Sequence, residues 1–358
     1  MTADETENTP ATDADPLAAV VARGRAETAA DALRAEGVYD PDRSIRPFGE
    51  DAVALPVTVP PEETAVREVV RQEAEPRLRN LDDHLRERGW SEAERERAPS
   101  SWAVIGTVVL VDVGDAPRPA EIGDALLDLH ANADTVLARH GIDGTQRRPD
   151  ATVIAGVGDT ETVHTEHGTR YALDLAEVMF SPGNKTERRR MGDVVRCDER
   201  CESPDRTSDD DRVFDMFAGI GYFTLPMARA GARVTATEIN PDSFRYLLEN
   251  ARLNGVHERV DLYRADCRDV AETVDADRVV MGYYEAHDYL DAALSALVPG
   301  GVVHMHEATP ETLVYDRPVE RLTSAAAERG REAEILARRT VKGYSEGVAH
   351  VVVDARVE

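Results

Sequence analysis

From Arg212 to Glu238 two short apolar runs flank a small-residue turn and a helix-length segment. Val213-Phe214 ends in Asp215, the turn is Ala218-Gly219-Ile220-Gly221, and Phe223 to Ala230 has helical spacing up to Gly231. Arg233 to Thr237 then alternates as a strand does and ends in Glu238. The pattern predicts strand, glycine turn, helix, strand. The same rhythm continues downstream. Asn240 before Pro241 reads as the cap of a helix to Asn254. Val260 to Arg264 and Ala276 to Met281 read as the third and fourth strands, and Val302 to His306 as the fifth. Tyr289 to Leu297 is helical, stopped by Pro299-Gly300-Gly301. Residues 332–341 and 347–357 would close the sheet as an antiparallel pair. Strands alternating with helices predict a doubly wound α/β sheet with a mostly parallel core.

Upstream the pattern is less regular. Residues 1–16 are polar and aperiodic, a disordered acidic tail. Residues 17–37 carry Ala and Leu at helical spacing up to Gly37, residues 44–61 read as a short strand between prolines, and residues 64–89 as helix. Ser91 would cap a short helix from Glu92 to Arg97. Together 17–99 form a helical or mixed region. From Trp102 the pattern changes. Trp102 to Val113 reads as one buried strand, and residues 118–140 as a helix with Ile122, Leu126, Leu129 and Leu137 on one face. Strand-like runs at Ala151–Val157, Thr162–His167 and 170–180 complete a small α+β domain over 100–178. His164, His167 and Arg170 lie near its hairpin and read as surface residues. Residues 179–358 form the α/β domain, and 196–212 an exposed insertion. Cys197 and Cys201 lack a second pair, so no zinc site is expected.

Composition changes the picture in one respect. Sixty-nine acidic residues face 42 basic ones over 358 residues, for a net charge of −27. Only Lys185 and Lys342 are lysines. Acid excess with almost no lysine suits molar salt, where charge repulsion is screened within about 3 Å and carboxylates keep a surface soluble. A salt-rich cytoplasm, as in a halophilic archaeon, is therefore expected. There, net charge does not exclude RNA, because counterion release drives little binding. No run approaches the ~20 apolar residues of a membrane span, and the three cysteines make no disulfide framework.

The turn carries the first candidate chemistry. Gly219 and Gly221 have no Cβ and let a ligand approach the backbone. A dinucleotide fingerprint would place a third glycine at Thr224 and would not end its first strand in an acid. Asp215, which would repel a pyrophosphate, suits a phosphate-free, cationic cofactor, S-adenosylmethionine. Asp215 would face its ammonium group and Glu238 its ribose. At the third strand tip, Asp266 and the Cys267 amide would meet the adenine. Lys185 with Arg188, Arg189 and Arg190 makes the densest cationic stretch in an acidic chain, suited to a phosphate or carboxylate.

FSPGNKTERRRMG, DMFAGIGYFTLPMA, TEINPDSFRYLLENARLNGV and VKGYSEGVAHVVVD together resemble one family over about residues 100–358. It contains the archaeal and eukaryotic tRNA (guanine-37 N1)-methyltransferases and the tRNA wybutosine-synthesising protein 2 enzymes. The resemblance implies a Rossmann-like class I S-adenosylmethionine-dependent methyltransferase fold preceded by a small α+β, tRNA-contacting domain. It also implies Ser181 and Arg188 at the methionine end of S-adenosylmethionine, Glu238 at the ribose, and Asp266 with Cys267 at the adenine. The methyltransferase branch has an Asn-Leu-Pro or Asn-Pro-Pro-like motif after the fourth strand and tends to have Arg after Phe-Ser-Pro. This chain has Met281-Gly282-Tyr283-Tyr284-Glu285 and Gly183 there. Both departures resemble the wybutosine branch, which transfers a 3-amino-3-carboxypropyl group to carbon 7 of 4-demethylwyosine in phenylalanine tRNA. Tyr283 and Tyr284 would stack on the base, with Lys185 and Arg189 as further substrate contacts. Tyr283, Glu285 and His287 stand near the reacting base, without a catalytic base being assigned. A monomer acting on tRNA, with no metal and no membrane, is expected.

Overall fold

The computed structural model describes residues 16–144, 146–196 and 211–358. The expected acidic tail lies almost wholly outside them, as do Cys197 and Cys201 and most of the expected insertion at 196–212. The chain divides into two compact units, at Arg95/Glu96.

The first unit is a four-stranded sheet with helices. It holds β1 (Leu17–Ala22), α1 (Ala26–Glu36), β2 (Arg46–Phe48), β3 (Ala52–Pro56), β4 (Glu68–Arg71), α2 (Leu81–Glu87) and α3 (Glu92–Arg95), with strand order β2-β3-β1-β4. The helix expected from residue 17 starts only at Ala26. Leu17–Ala22 is instead a central strand, pairing with β3 on one side and β4 on the other. Alanine is compatible with either state in a short apolar run, and pairing on both edges decides for strand. Helix over 64–89 is likewise confined to α2, where the Asn80 side chain accepts from the Asp83 amide.

The second unit opens with β5 (Trp102–Ile105), β6 (Val108–Val111), α4 (Pro119–Leu129), β7 (Thr135–Asp143) and β8 (Arg148–Gly156), ordered β5-β6-β7-β8. Two expectations are corrected here. Trp102–Val113 is a hairpin, turning at Gly106 with φ +57°, where a Cβ would sit 2.0 Å from Thr162 Oγ1. The helix over 118–140 stops at Leu129, and Leu137 belongs to a strand. The polar stretch from His130 to Asp134 breaks the helix, and β6 pairs in parallel with β7 across α4, as a β-α-β crossover requires.

The hairpin β9 (Glu161–Glu166) and β10 (Thr169–Asp174) follows, then α5 (Lys185–Arg196). The large sheet contains β11 (Arg212–Asp215), β12 (Arg233–Thr237), β13 (Val260–Tyr263), β14 (Ala276–Met281), β15 (Leu297–Pro310), β16 (Ala333–Ser345) and β17 (Val348–Val357). Its order is β13-β12-β11-β14-β15-β17-β16. The first five strands are parallel and the last two antiparallel, the doubly wound arrangement expected. The helices are α6 (Thr224–Ala230), α7 (Pro241–Leu253), α8 (Cys267–Ala271), α9 (Leu290–Ala296) and α10 (Asp316–Glu328). Asn240 caps α7, its side chain accepting from the amides of Asp242 and Ser243.

One face of the 100–178 segment joins the α/β core: Ile105, Val108, Leu110 and Leu137 share one buried cluster with Val213, Ile220, Phe223 and Tyr246. Val109, Ile122, Leu126 and Val136 are also fully buried, outside that cluster. The hairpin is also tied to α7: Asn250 accepts from the Ala172 amide and donates to the Ala172 carbonyl. Burying apolar area on both faces of this interface, at about 25 cal/mol per Å², makes the small sheet part of the wall around the α/β site.

Candidate active site

A cleft opens at the carboxyl ends of β11 to β14, where open α/β sheets bind ligands. It holds about 1070 Å³ of atom-free space, open solvent at the mouth included, enough for a nucleoside cofactor together with a base.

One wall is made by short-range backbone geometry. Gly219 has φ +58°, and a Cβ there would lie 2.5 Å from the Tyr222 ring. Its amide donates to Glu238 Oε2 at 2.7 Å, and the Asn240 amide donates to Oε1 at 2.7 Å. Burial raises the Glu238 pKa, against the lowering effect of these amides. Asp266 caps α8 and lines the cleft, and its ion pair with Arg268, at 2.6 Å, lowers its pKa. Cys267 lies beside it, and burial pushes its thiol pKa up to about 12.

The opposite wall comes from distant segments: Met179, Ser181 and Asn184 before and within the turn into α5, Tyr283 and Tyr284 after β14, His306 of β15 and His350 of β17. Lys342 Nζ donates to Ser181 Oγ at 2.6 Å. Burial, then Arg188, Arg139 and Arg147, lower the Lys342 pKa. Gln146 and Arg147, from the β7–β8 turn, also reach the cleft. Arg147 lies over the rings of Tyr283 and Tyr284, at 5.8 and 5.4 Å, in cation–π range.

Of the residues expected at the cofactor, Ser181, Gly219, Glu238, Asp266 and Cys267 line the cleft, and three do not. Asp215 is fully buried beneath the turn, where Oδ2 accepts from the Thr224 hydroxyl at 2.7 Å and burial raises its pKa to about 6. Gly221, with φ +104°, faces protein: a Cβ would meet Leu225 Cγ at 2.7 Å and Leu247 Cδ1 at 3.2 Å. Arg188 is 3% exposed and pairs with Glu166 through two bonds of 2.8 and 2.9 Å, while its Nη1 donates to the Ser181 carbonyl. It holds the Ser181 loop from behind. Burial would raise the Glu166 pKa, but the His164 and Arg188 contacts bring it below the ordinary value. His164, expected at the surface, is half-buried: Nδ1 accepts from the Gly106 amide and Nε2 approaches Glu166 at 3.3 Å. Lys185 and Arg189 are exposed on α5 and do not line the cleft, whereas Tyr283 and Tyr284 do. Tyr283 donates to Glu285 at 2.5 Å.

Lys342, Gln146, Arg147, Asn184, His306 and His350 escaped the sequence reading. For Lys342 a signal existed, since it is one of two lysines in a chain of forty arginines. The histidines carried none, because His304, His306 and His350 look alike in sequence.

The residues present fit a phosphate-free nucleoside cofactor. A glycine-floored turn, a buried carboxylate on two amides and a second carboxylate at the next strand tip supply acceptors for hydroxyl and amino groups. Sheet order and cleft together define an S-adenosylmethionine-dependent methyltransferase-like protein. Sequence models described as the TRM5/TYW2 methyltransferase domain and the TYW2 N-terminal domain match residues 162–336 and 81–160. A Pyrococcus horikoshii protein named tRNA(Phe) (4-demethylwyosine(37)-C(7)) aminocarboxypropyltransferase is 39% identical over 266 residues, 72% of this chain and 90% of that one. The chain belongs to the TRM5/TYW2 family, on the tRNA wybutosine-synthesising protein 2 side. Among solved structures, P. horikoshii TYW2 in complex with MeSAdo matches with TM-score 0.64 and 35% identity, over 77% of this chain and 97% of that one. Wild-type Trm5b from Pyrococcus abyssi matches with TM-score 0.69 and 31% identity, over 96% and 99%.

Proposed function

We propose that the chain transfers the 3-amino-3-carboxypropyl group of S-adenosylmethionine to carbon 7 of 4-demethylwyosine at position 37 of phenylalanine tRNA, releasing methylthioadenosine. The observation that carries this reading is at the tip of β14. Met281-Gly282-Tyr283-Tyr284-Glu285 follows β14 where the methyltransferase branch of the resemblance has its Asn-Leu-Pro or Asn-Pro-Pro-like motif, and it holds neither Asn nor Pro. At Gly282 a Cβ would meet the Phe223 ring at 2.7 Å. At Gly183 a Cβ would meet Lys342 Cδ at 2.9 Å, so a larger residue there would require the lysine side chain to shift.

The sulfonium cofactor supplies an activated carbon and a neutral thioether leaving group. The protein's part is positioning, which can account for several kcal/mol of the barrier. In this reading Glu238 holds the ribose hydroxyls, Asp266 and the Cys267 amide the adenine, and Ser181, backed by Lys342 and Arg188, the methionine arm. Tyr283 and Tyr284 offer rings on which the base stacks. The 100–178 segment contributes to tRNA contact, bringing Arg147 to the cleft. We further place the protein in a saline cytoplasm, acting as a monomer without a metal. The two lysines and the acid excess support the salt adaptation; activity rising with KCl is expected, and a maximum at low salt would remove it. Among the described residues no helix is long and apolar enough to cross a membrane, and no cluster of three metal-ligating side chains occurs.

One observation favours a second reading, guanine-37 N1-methylation: Trm5b matches 96% of the chain, whereas P. horikoshii TYW2 matches 77%. Hypomodified tRNA incubated with S-adenosylmethionine labelled in the methyl group or in the carboxyl carbon separates the two. Carboxyl label in the tRNA is the expected result; methyl label alone would overturn the proposal.

A further inference from the structure

Three buried histidines lie on the β15–β17 pair, and only one has both ring nitrogens engaged. His304 Nδ1 meets Asp354 Oδ1 at 2.8 Å, and its Nε2 meets Arg278 Nη1 at 3.3 Å. His306 and His350 instead bond each other, Nδ1 to Nε2, at 3.0 Å. They are 2% and 0% exposed, and both line the cleft. The two outer nitrogens, His306 Nε2 and His350 Nδ1, are buried without a hydrogen-bond partner. A buried polar atom left unpaired is costly, and such an atom in a cleft wall points to a ligand.

The inner bond fixes how these nitrogens act. In a neutral pair one ring donates and the other accepts, so one outer nitrogen carries a proton and the other a lone pair. Moving the inner proton across, with compensating exchange at the outer nitrogens, reverses the two roles. The rings stay neutral because burial lowers the His306 pKa to about 3 and the His350 pKa to about 2. The charged groups acting on them are mixed: Arg190, Arg339 and Lys342 disfavour a proton, while Glu187 and Asp354 favour one. Phe223 and Tyr284 flank the pair, with ring centroids 5.2 Å from His306 and 4.9 Å from His350.

Substitution at a ring carbon has a requirement that methyl transfer to a thioether or amine lone pair does not. When the new carbon–carbon bond forms, the sulfonium carbon–sulfur bond breaks and its electron pair stays on sulfur. Carbon 7 then bears both the new group and its hydrogen, and the base ring is cationic. The carbon–hydrogen pair must return to the ring and the proton must go to an acceptor. Both carboxylates lining the cleft are engaged, Glu238 by two amides and Asp266 by Arg268. Resting on the aminocarboxypropyl reading, we propose that the His306–His350 pair is the proton acceptor and relay of the reaction. The outer lone pair takes the proton from carbon 7, the inner proton moves across, and the far N–H gives its proton to water. A cationic ring gives up this proton readily, so a weak base suffices.

The test uses the full chain, hypomodified tRNA carrying hydrogen or deuterium at carbon 7, and carboxyl-labelled S-adenosylmethionine. His306→Gln and His350→Gln should each lower the single-turnover rate at least about 100-fold, the scale of general base catalysis. Deuterium should then slow the variants more than the native protein, because proton removal has become limiting. Affinity for S-adenosylmethionine and for methylthioadenosine should stay within twofold of native. An unchanged rate, an unchanged isotope effect in slowed variants, or selective loss of S-adenosylmethionine affinity would each overturn the relay, the last assigning the pair to the amino-acid arm. Should a variant fail to fold, the native protein still decides: nitrogen-labelled histidine spectra should show two neutral rings of the same tautomer, both Nδ1–H or both Nε2–H, and two unlike tautomers or an imidazolium would refute it. Methyl label alone in the native reaction would instead bring down the underlying reading, and the relay with it.

Discussion

The two walls of the cleft are built on different length scales. The wall with Gly219, Glu238 and Asp266 is made of backbone amides and strand tips within about fifty residues of one another. The wall with Ser181, His306 and His350, with Lys342 bonded to Ser181, joins segments far apart in sequence through side chains. Lys342 and Ser181 are 161 positions apart, and Arg190 reaches Asp354 across 164. The local wall suits any sulfonium nucleoside. Under the proposed function, the long-range wall is where the choice of cofactor carbon and the acceptor of the displaced proton would be set.

The sharpest way to break this division is Arg188→Ala. It leaves Glu166 buried without its cation and frees the Ser181 carbonyl. Truncating one partner of such a pair costs about 3–5 kcal/mol, and denaturant unfolding should show a loss of that order. A loss under 1 kcal/mol would mean that the loop does not depend on the pair.

Glu238→Ala tests the local wall alone. Loss of its charge-assisted bonds should weaken both S-adenosylmethionine and methylthioadenosine by about 1–3 kcal/mol in calorimetry, equally for the two ligands. Unequal losses would show that Glu238 reads the methionine arm. Lys342→Ala should produce that inequality, with about tenfold weaker S-adenosylmethionine, or ~1.4 kcal/mol, and nearly unchanged methylthioadenosine. Equal affinities would detach Lys342 from that arm.

Acid should act first on the long-range wall. His306 and His350 have folded pKa values well below the ordinary histidine value of 6.5. The unfolded chain therefore binds more protons below pH 6.5, and stability falls as pH drops toward 3, by about 1.4 kcal/mol per unit for each histidine. Asp215 works the other way. Its raised pKa of about 6 means that the folded chain binds more protons between the ordinary carboxylate value of 3.8 and about 6, and gains stability as pH falls through that window. His304, whose pKa burial also lowers, adds to the loss, and Glu238, whose pKa burial raises, opposes it. Replacing both histidines with Gln should lessen the acid loss of stability in equilibrium unfolding at pH 6 and 4; an unchanged slope would place the acid response elsewhere.

Much of the α/β domain was legible because its signals are local. The strand from Arg233 to Thr237, the Asn240-Pro241 cap and the turn at Gly219 follow from neighbouring residues, and they sit where the pattern puts them. The upstream elements were less legible. Leu17–Ala22 and Thr135–Asp143 pass for helix in sequence and become strands through partners on neighbouring segments. At the site, Asp215 and Arg188 were read as ligand contacts because burial and partner are invisible in sequence: one lies under Thr224, the other on Glu166.

The sequence by itself determined the sheet order's parallel core, the glycine turn and the carboxylates at the strand tips, since each depends on periodicity and on conformations that glycine and capping residues favour. Only the tertiary structure decided that Phe223 fills the space above Gly282, that one of two lysines reaches Ser181, and that two of three histidines bond each other with their outer nitrogens unpaired. These depend on which side chains of non-adjacent strands come within bonding distance, and no local pattern encodes that.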